Sequence, residues 1–259
     1  MIPPAGFKRF APLTAAAASA SASASASASA STSAPPPAPT LRGIIFDMDG
    51  TLCQPQTYMF AEMRTALGIA SSVDILHHIE GLDPHRQPAA ADAIRAIESR
   101  AMLLQTPQPG LSALMSYLDS RRIPKAICTR NFHLPVQNLL SKFLAGSSFD
   151  PIITRDFRPP KPHPAGLLHI AASWGLHDDA GLPDASNLIM VGDSIDDMTA
   201  GRMAGAATVL LANDVNRHLV RHQHTDLAIE RLDDLITILD RGFQSAEPNN
   251  DPSRHSLDG

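Results

Sequence analysis

The chain has 259 residues, 44% of them apolar, with 22 prolines and a formal net charge of −5. Lys8, Arg9 and Arg42 are the only charges in residues 1–46, so the remainder sets 18 of the 21 basic residues against all 26 acidic ones, a net of −8. That acidic body argues against a nucleic-acid-binding surface, no apolar run reaches the roughly 20 residues of a membrane span, and two cysteines, Cys53 and Cys128, cannot build a disulfide scaffold and suit a reducing compartment.

Residues 1–40 do not read as part of a domain. Ser and Ala alternate from Ser19 to Ser31 and Pro35-Pro36-Pro37 follows, a composition with too little apolar surface to offset chain entropy. A disordered leader is expected there. Its acid-free, Ser/Ala-rich character also matches an organellar transit peptide, although arginines are few. The expected compartment is therefore cytoplasmic, or mitochondrial if the leader is a targeting peptide. The polar tail, 244–259, is expected to fray. About 200 residues remain, enough for one α/β domain with a small insertion.

The first strand is expected at Leu41–Asp47. Residues 54–109 then break the strand–helix rhythm. Tyr58, Met63, Ala66, Leu67 and Ile69 predict one helix, and Ile94, Ile97, Ala101 and Leu104 a second over Ala90–Leu104, with breaks at Gly81 and Pro84. Alternation resumes with a helix at Leu111–Ser120, a strand at Ile123–Cys128, a helix near Leu134–Leu144 and a strand near Asp150–Thr154. A helix over Pro164–Trp174, a strand at Asn187–Val191, a helix at Ile195–Ala204 and a strand at Thr208–Leu211 follow. An extended piece near Leu227–Ile229 and a helix at Asp233–Leu239 end the series. This order predicts a doubly wound parallel sheet of Rossmann-like type, covered on both faces, with ligands bound at the carboxyl ends of its strands.

Polar clusters stand at those ends. Asp47-Met48-Asp49-Gly50-Thr51 follows Gly43-Ile44-Ile45-Phe46. Thr129-Arg130-Asn131 follows Ala126-Ile127-Cys128, and Gly192-Asp193-Ser194-Ile195-Asp196-Asp197 follows Leu188-Ile189-Met190-Val191. Pro160-Lys161-Pro162 opens a helical pattern instead. Carboxylates two apart on a strand would face opposite sides; Gly50 lets the chain turn and bring both to one mouth. One can then attack as a nucleophile while the other moves protons.

This constellation resembles the haloacid dehalogenase-like hydrolase superfamily, over roughly residues 41–240. The resemblance implies a core of 41–53 and 110–243, with 54–109 as a small α-helical cap. It implies that Asp47 is the nucleophile and Asp49 the general acid and base. The aspartate at 49 separates phosphoryl transfer from the dehalogenase branch. Thr129 and Lys161 would hold the phosphoryl oxygens, with Arg130 and Asn131 as adjoining substrate contacts. Hard oxygen donors suit Mg²⁺, with Asp47, the Asp49 carbonyl and Asp193 as direct ligands and Asp197 acting through contacts behind them. Asp193 or Ser194 could also cap the helix that starts at Ile195.

Other residues have plainer readings. Thr51 is expected to fix the acidic loop by hydrogen bonding. Arg130, His133, Arg155 and Arg158 could reach an anionic substrate, against a plain reading as solvated surface residues. Cys53 and Cys128 read as packed bystanders. His218, His222 and His224 lack the ligand spacing that zinc sites use. The expected function is Mg²⁺-dependent hydrolysis of a small phosphorylated metabolite through an aspartyl-phosphate, without nucleic-acid or membrane partners. A phosphomutase of the same fold and a non-catalytic phosphate-binding protein are the alternatives, and the oligomeric state is open.

Overall fold

The computed structural model describes residues 8–13, 38–56 and 58–245. Six strands form one sheet in the order β3-β2-β1-β4-β5-β6, with every neighbouring pair parallel. They are β1 (Gly43–Phe46), β2 (Lys125–Cys128), β3 (Ile152–Ile153), β4 (Leu188–Gly192), β5 (Ala207–Leu211) and β6 (Leu227–Ile229). The chain runs outward from β1 to β2 and β3, then returns to the other side of β1 for β4. A topological switch point therefore lies between β1 and its neighbours, where open α/β sheets bind ligands.

The doubly wound reading holds because the strands are buried on both faces. Within β1, Ile44 and Phe46 point into one core and Ile45 into the other, as the two-residue period of a strand requires. The first core packs against Leu114 and Leu118 of α4 (Leu111–Ser120), Val136 and Leu139 of α5 (His133–Phe143), and Leu235 and Leu239 of α8 (Asp234–Arg241). The second packs against Leu167 and Ile170 of α6 (Ala165–Ser173) and Ala200 and Ala204 of α7 (Ile195–Ala204). Small residues on α7 suit its close approach to the sheet: a Cβ on Gly201 would stand 2.6 Å from the Thr208 side chain.

Three helices fill the insertion: α1 (Tyr58–Leu67), α2 (Ile75–Glu80) and α3 (Gln87–Leu103). They enclose a separate small core of Met59, Met63, Ile75, Ile94, Ile97 and Ala101. Helix α2 was not foreseen. It is six residues long, too short for periodicity to show, but it has an N-cap in Asp74, whose carboxylate accepts from the His77 N–H at 2.8 Å, and it stops at Gly81. Helix α3 starts three residues earlier than expected, with Pro88 in its first turn, where a missing N–H is harmless. Asn138 and Lys142 of α5 tie the end of this unit to the core, donating to the Gln105 side chain at 2.9 Å and the Leu103 carbonyl at 3.2 Å.

Residues 8–13, assigned by composition to a leader outside the domain, are packed in it. Phe10 is 3% exposed and sits in the main core against Phe243, ring centres 5.5 Å apart. Its N–H donates to the Phe243 carbonyl at 2.9 Å, Arg9 bridges Gln244, and the Lys8 ammonium donates to the Gly205 carbonyl at 2.5 Å. The tail boundary shifts too, since Ser245 is buried and bonded to Lys8. A composition averaged over 40 residues hides one aromatic anchor. The Ser19–Ser31 tract and Pro35–Pro37 lie outside the described residues. No helix among the described residues is long and apolar enough to cross a membrane.

Candidate active site

The acidic loop leaves β1 at its carboxyl end. Asp47 is the first residue past β1, and its N–H still donates to the Val191 carbonyl at 2.9 Å, which ties it to the neighbouring strand β4. The Met48 carbonyl then accepts from the N–H groups of Thr51 and Leu52 at 3.2 and 2.8 Å, closing a tight turn around Gly50. Gly50 has φ +81°, and a Cβ there would stand 2.0 Å from an Asp193 carboxylate oxygen. The position thus needs glycine both for the left-handed backbone and for the approach of Asp193. Gly50→Ala is expected to lower stability by about 1–3 kcal/mol, read as a shift of the urea midpoint; an unshifted midpoint would contradict this packing. The Thr51 hydroxyl does not fix the loop: its oxygen is buried without a hydrogen-bond partner among the described residues. Gln108 does so instead, its amide donating to the Gly50 carbonyl at 2.7 Å.

Strand β4 brings the second acidic cluster alongside. Ser194 is the N-cap of α7, and Ser194 and Asp197 form a reciprocal capping box, satisfying two otherwise orphaned N–H groups. One Asp197 oxygen accepts from the Ser194 hydroxyl at 2.6 Å and its N–H at 3.0 Å. The other accepts from the Lys161 ammonium at 2.5 Å, and Lys161 also donates to Asp47 at 2.7 Å. Asn216 holds the Asp193 carbonyl at 2.7 Å, orienting that turn. Lys161 is buried and cannot leave without stranding its two partners, a break worth about 3–5 kcal/mol.

The electrostatics follow from this crowding. Burial pushes the Asp47 carboxyl well up, against the pull of Lys161 and with the push of Asp197, Asp193 and Asp49. Burial and the neighbouring Asp197 raise Asp193 to about 7. Ligand oxygens of Asp47, Asp193 and Asp197 lie within 4.8 Å of one another. Hard oxygen donors this close suit a small divalent cation that takes one or two carboxylates and keeps its waters. Asp47 and Asp193 are the ones with oxygens to give, since both oxygens of Asp197 carry hydrogen bonds already.

Asp49 is raised by burial, against the Asn131 hydrogen bond and Lys161. The Asn131 amide donates to it at 2.8 Å. Asn131 lines the cavity, and its side-chain oxygen also accepts from the Phe132 N–H at 2.7 Å. The Thr129 hydroxyl oxygen accepts from the Asn131 N–H at 3.0 Å, which leaves its own proton to donate. Arg130 reaches the mouth but pairs with Asp196 at 2.6 Å.

The four aspartates Asp47, Asp49, Asp193 and Asp197 line one cavity of about 420 Å³ together with Thr129 and Lys161, between the sheet and the inserted helices. Its far wall is Met59, Phe60, Met63, Ile75 and Ile94. Arg155 lines it too, 14% exposed, rather than lying on the surface, whereas Arg158 is 66% exposed. Glu98 and Arg64, also in the lining, were missed because only the fold of the insertion turns them inward. Cys53 is buried with its thiol pushed up by desolvation, 3.8 Å from an Asp49 oxygen; Cys128 is raised to about 11 by its own burial. The His224 ring Nδ1 lies 3.0 Å from the Thr199 hydroxyl, and the His224 backbone N–H donates to the His222 ring Nδ1 at 3.1 Å.

A Rossmann-like parallel sheet with paired aspartates after β1, a lysine held between acidic groups and a helical insertion over the site is an α/β arrangement of the haloacid dehalogenase type. Residues 41–205 match the family model described as haloacid dehalogenase-like hydrolase, and the chain belongs to that family. It is 44% identical over 205 residues to an uncharacterized hydrolase of Saccharomyces cerevisiae, covering 77% of this chain and 91% of that protein. A phosphoglycolate phosphatase of Neisseria meningitidis is 27% identical over 193 residues, covering 65% of this chain and 79% of its own. The fold is also that of a crystal structure from Haemophilus somnus, described as a predicted phosphoglycolate phosphatase, with TM-score 0.62, 19% identity, and coverage of 76% and 97% of the two chains.

Proposed function

We propose that this hydrolase is a Mg²⁺-dependent phosphatase of small phosphorylated metabolites, working through an aspartyl-phosphate on Asp47. The observation that carries the reading is the Asp47–Lys161–Asp197 arrangement with Asp49 one turn away. A carboxylate attacks phosphorus only when the phosphoryl charge is neutralised and the geometry preset. Lys161 supplies a fixed positive charge, and the Thr129 hydroxyl donates to a phosphoryl oxygen. A Mg²⁺ ion held by Asp47, Asp193 and the Asp49 carbonyl would supply the remaining neutralisation.

The steps follow from the two aspartates. Asp47 attacks phosphorus, and the bond to the leaving oxygen breaks with its electron pair going to that oxygen. Asp49, kept protonated more readily by burial, gives the leaving oxygen its proton. It then takes a proton from a water that attacks the phosphoryl group, and the bond to Asp47 breaks to restore the carboxylate. The cavity volume suits a metabolite rather than a macromolecule. The N. meningitidis relative's name, phosphoglycolate phosphatase, points the same way.

The experiment is phosphate release from a panel of small phosphomonoesters with Mg²⁺ and with excess EDTA. Release that stops with EDTA and returns with added Mg²⁺ is expected. Release indifferent to EDTA would remove the metal from the scheme, and no release from any ester would favour a binding role.

A further inference from the structure

The cavity holds cations that the phosphoryl chemistry leaves unused. Lys161 is closed onto Asp47 and Asp197, and Arg130 onto Asp196. Arg155 is set differently. Its N–H donates to the Asn131 carbonyl at 3.0 Å, and its guanidinium lies 3.9 Å from the centre of the Phe132 ring. Backbone and side chain are therefore both anchored next to the residue that holds Asp49. Its ionic partner is Glu98 of α3, at 3.5 Å, beyond normal hydrogen-bond length. The other Glu98 oxygen is buried with no hydrogen-bond partner among the described residues, and so is Nε of Arg64 on α1.

We propose that Arg155, with Arg64 as a further donor, binds a second anionic group on the substrate, and that Glu98 occupies this place until the substrate displaces it. The inference rests on the phosphatase reading and narrows it to short phosphomonoesters that also carry a carboxylate or a second phosphate. A guanidinium fork binds a planar or tetrahedral anion through two parallel hydrogen bonds. The Glu98 contact is a single long one, a poor match that a better-placed anion replaces. Burial raises Glu98 to about 7 against the pull of Arg155, so the pair is weakly held. Glu98, Arg155 and Arg64 line the same cavity as Asp47 and Asp49, which places the subsite near the reacting groups and calls for a compact molecule. An ester bearing only hydroxyls would leave the guanidinium on Glu98.

The test compares 2-phosphoglycolate, propane-1,3-diol bisphosphate and ethyl phosphate as substrates of the full chain. The kcat/KM for at least one doubly anionic ester is expected to exceed that for ethyl phosphate by about tenfold or more. Arg155→Gln should cut that ratio at least tenfold, chiefly through KM, and Arg155→Lys should restore part of it. The preferred ester identifies the anion as carboxylate or phosphate. A wild-type ratio near one, or a ratio that Arg155→Gln leaves unchanged, overturns the proposal while the phosphatase reading stands. If none of the esters is hydrolysed, the phosphatase reading fails, and calorimetric titration with the same compounds decides this one. Selective binding of a doubly anionic ester that Arg155→Gln removes upholds it; equal or absent binding overturns it.

Discussion

Asp47→Asn is expected to lower phosphate release by about 10⁴-fold or more while leaving the chain folded. The amide has the shape of the carboxylate, keeps the backbone bond to Val191 and leaves Lys161 its 2.5 Å contact to Asp197. It cannot form the covalent phosphoryl bond. The buried carboxyl it replaces is pushed up by desolvation and by three neighbouring aspartates, so removing that charge should leave the melting temperature unchanged or higher. Phosphate assays beside thermal melts separate the two effects. A folded variant that retains more than a few per cent of wild-type turnover would remove Asp47 as the nucleophile.

Phe10→Ala is expected to destabilise the protein by about 3–5 kcal/mol, the usual range for deleting a buried aromatic ring. For an ordered body of this size that is a fall of roughly 10 °C in melting temperature. The ring is 3% exposed, in the same core as Phe46, Leu118 and Leu239. Its backbone donates to Phe243, beside α8 and far along the chain. A shift under about 1 kcal/mol would mean that residues 8–13 are not a working part of the domain. Denaturant melts of the variant and the wild type give the answer directly.

The strands and most helices were legible because local pattern and tertiary fate agree here. Leu188–Val191 is apolar without alternation, as a strand buried on both faces must be, and it pairs with β1 along its length. Helix α7 carries its own start signal, Ser194 with Asp197 three residues on, and its own stop, Gly205 at φ +82°. Helix α2 carries only a cap and six residues, below the length at which a period can be counted. Thr51 illustrates a different limit. A hydroxyl type suggests a hydrogen bond, but the turn it sits in offers that atom no partner.

The candidate site divides along the same line. Asp47, Asp49, Thr129, Lys161, Asp193 and Asp197 sit at strand ends or helix starts, so their position along the chain already implies a shared mouth at the edge of a parallel sheet. Their separate duties became visible only in three dimensions. Asn131 was found on Asp49, Asp197 on Lys161 and Ser194, and Gln108 on the Gly50 carbonyl. Glu98 and Arg64 lie on helices whose inward face is set by packing around Met63 and Ile94. Phe10 reaches its place through contacts more than 200 residues away in sequence. The sequence by itself determined the sheet, the family and the acidic centre, because those follow from short-range pattern and from residue types at strand ends. The tertiary structure decided the cavity's far wall, its arginines and the anchoring of the chain's beginning, because these depend on contacts between distant segments that no local pattern encodes.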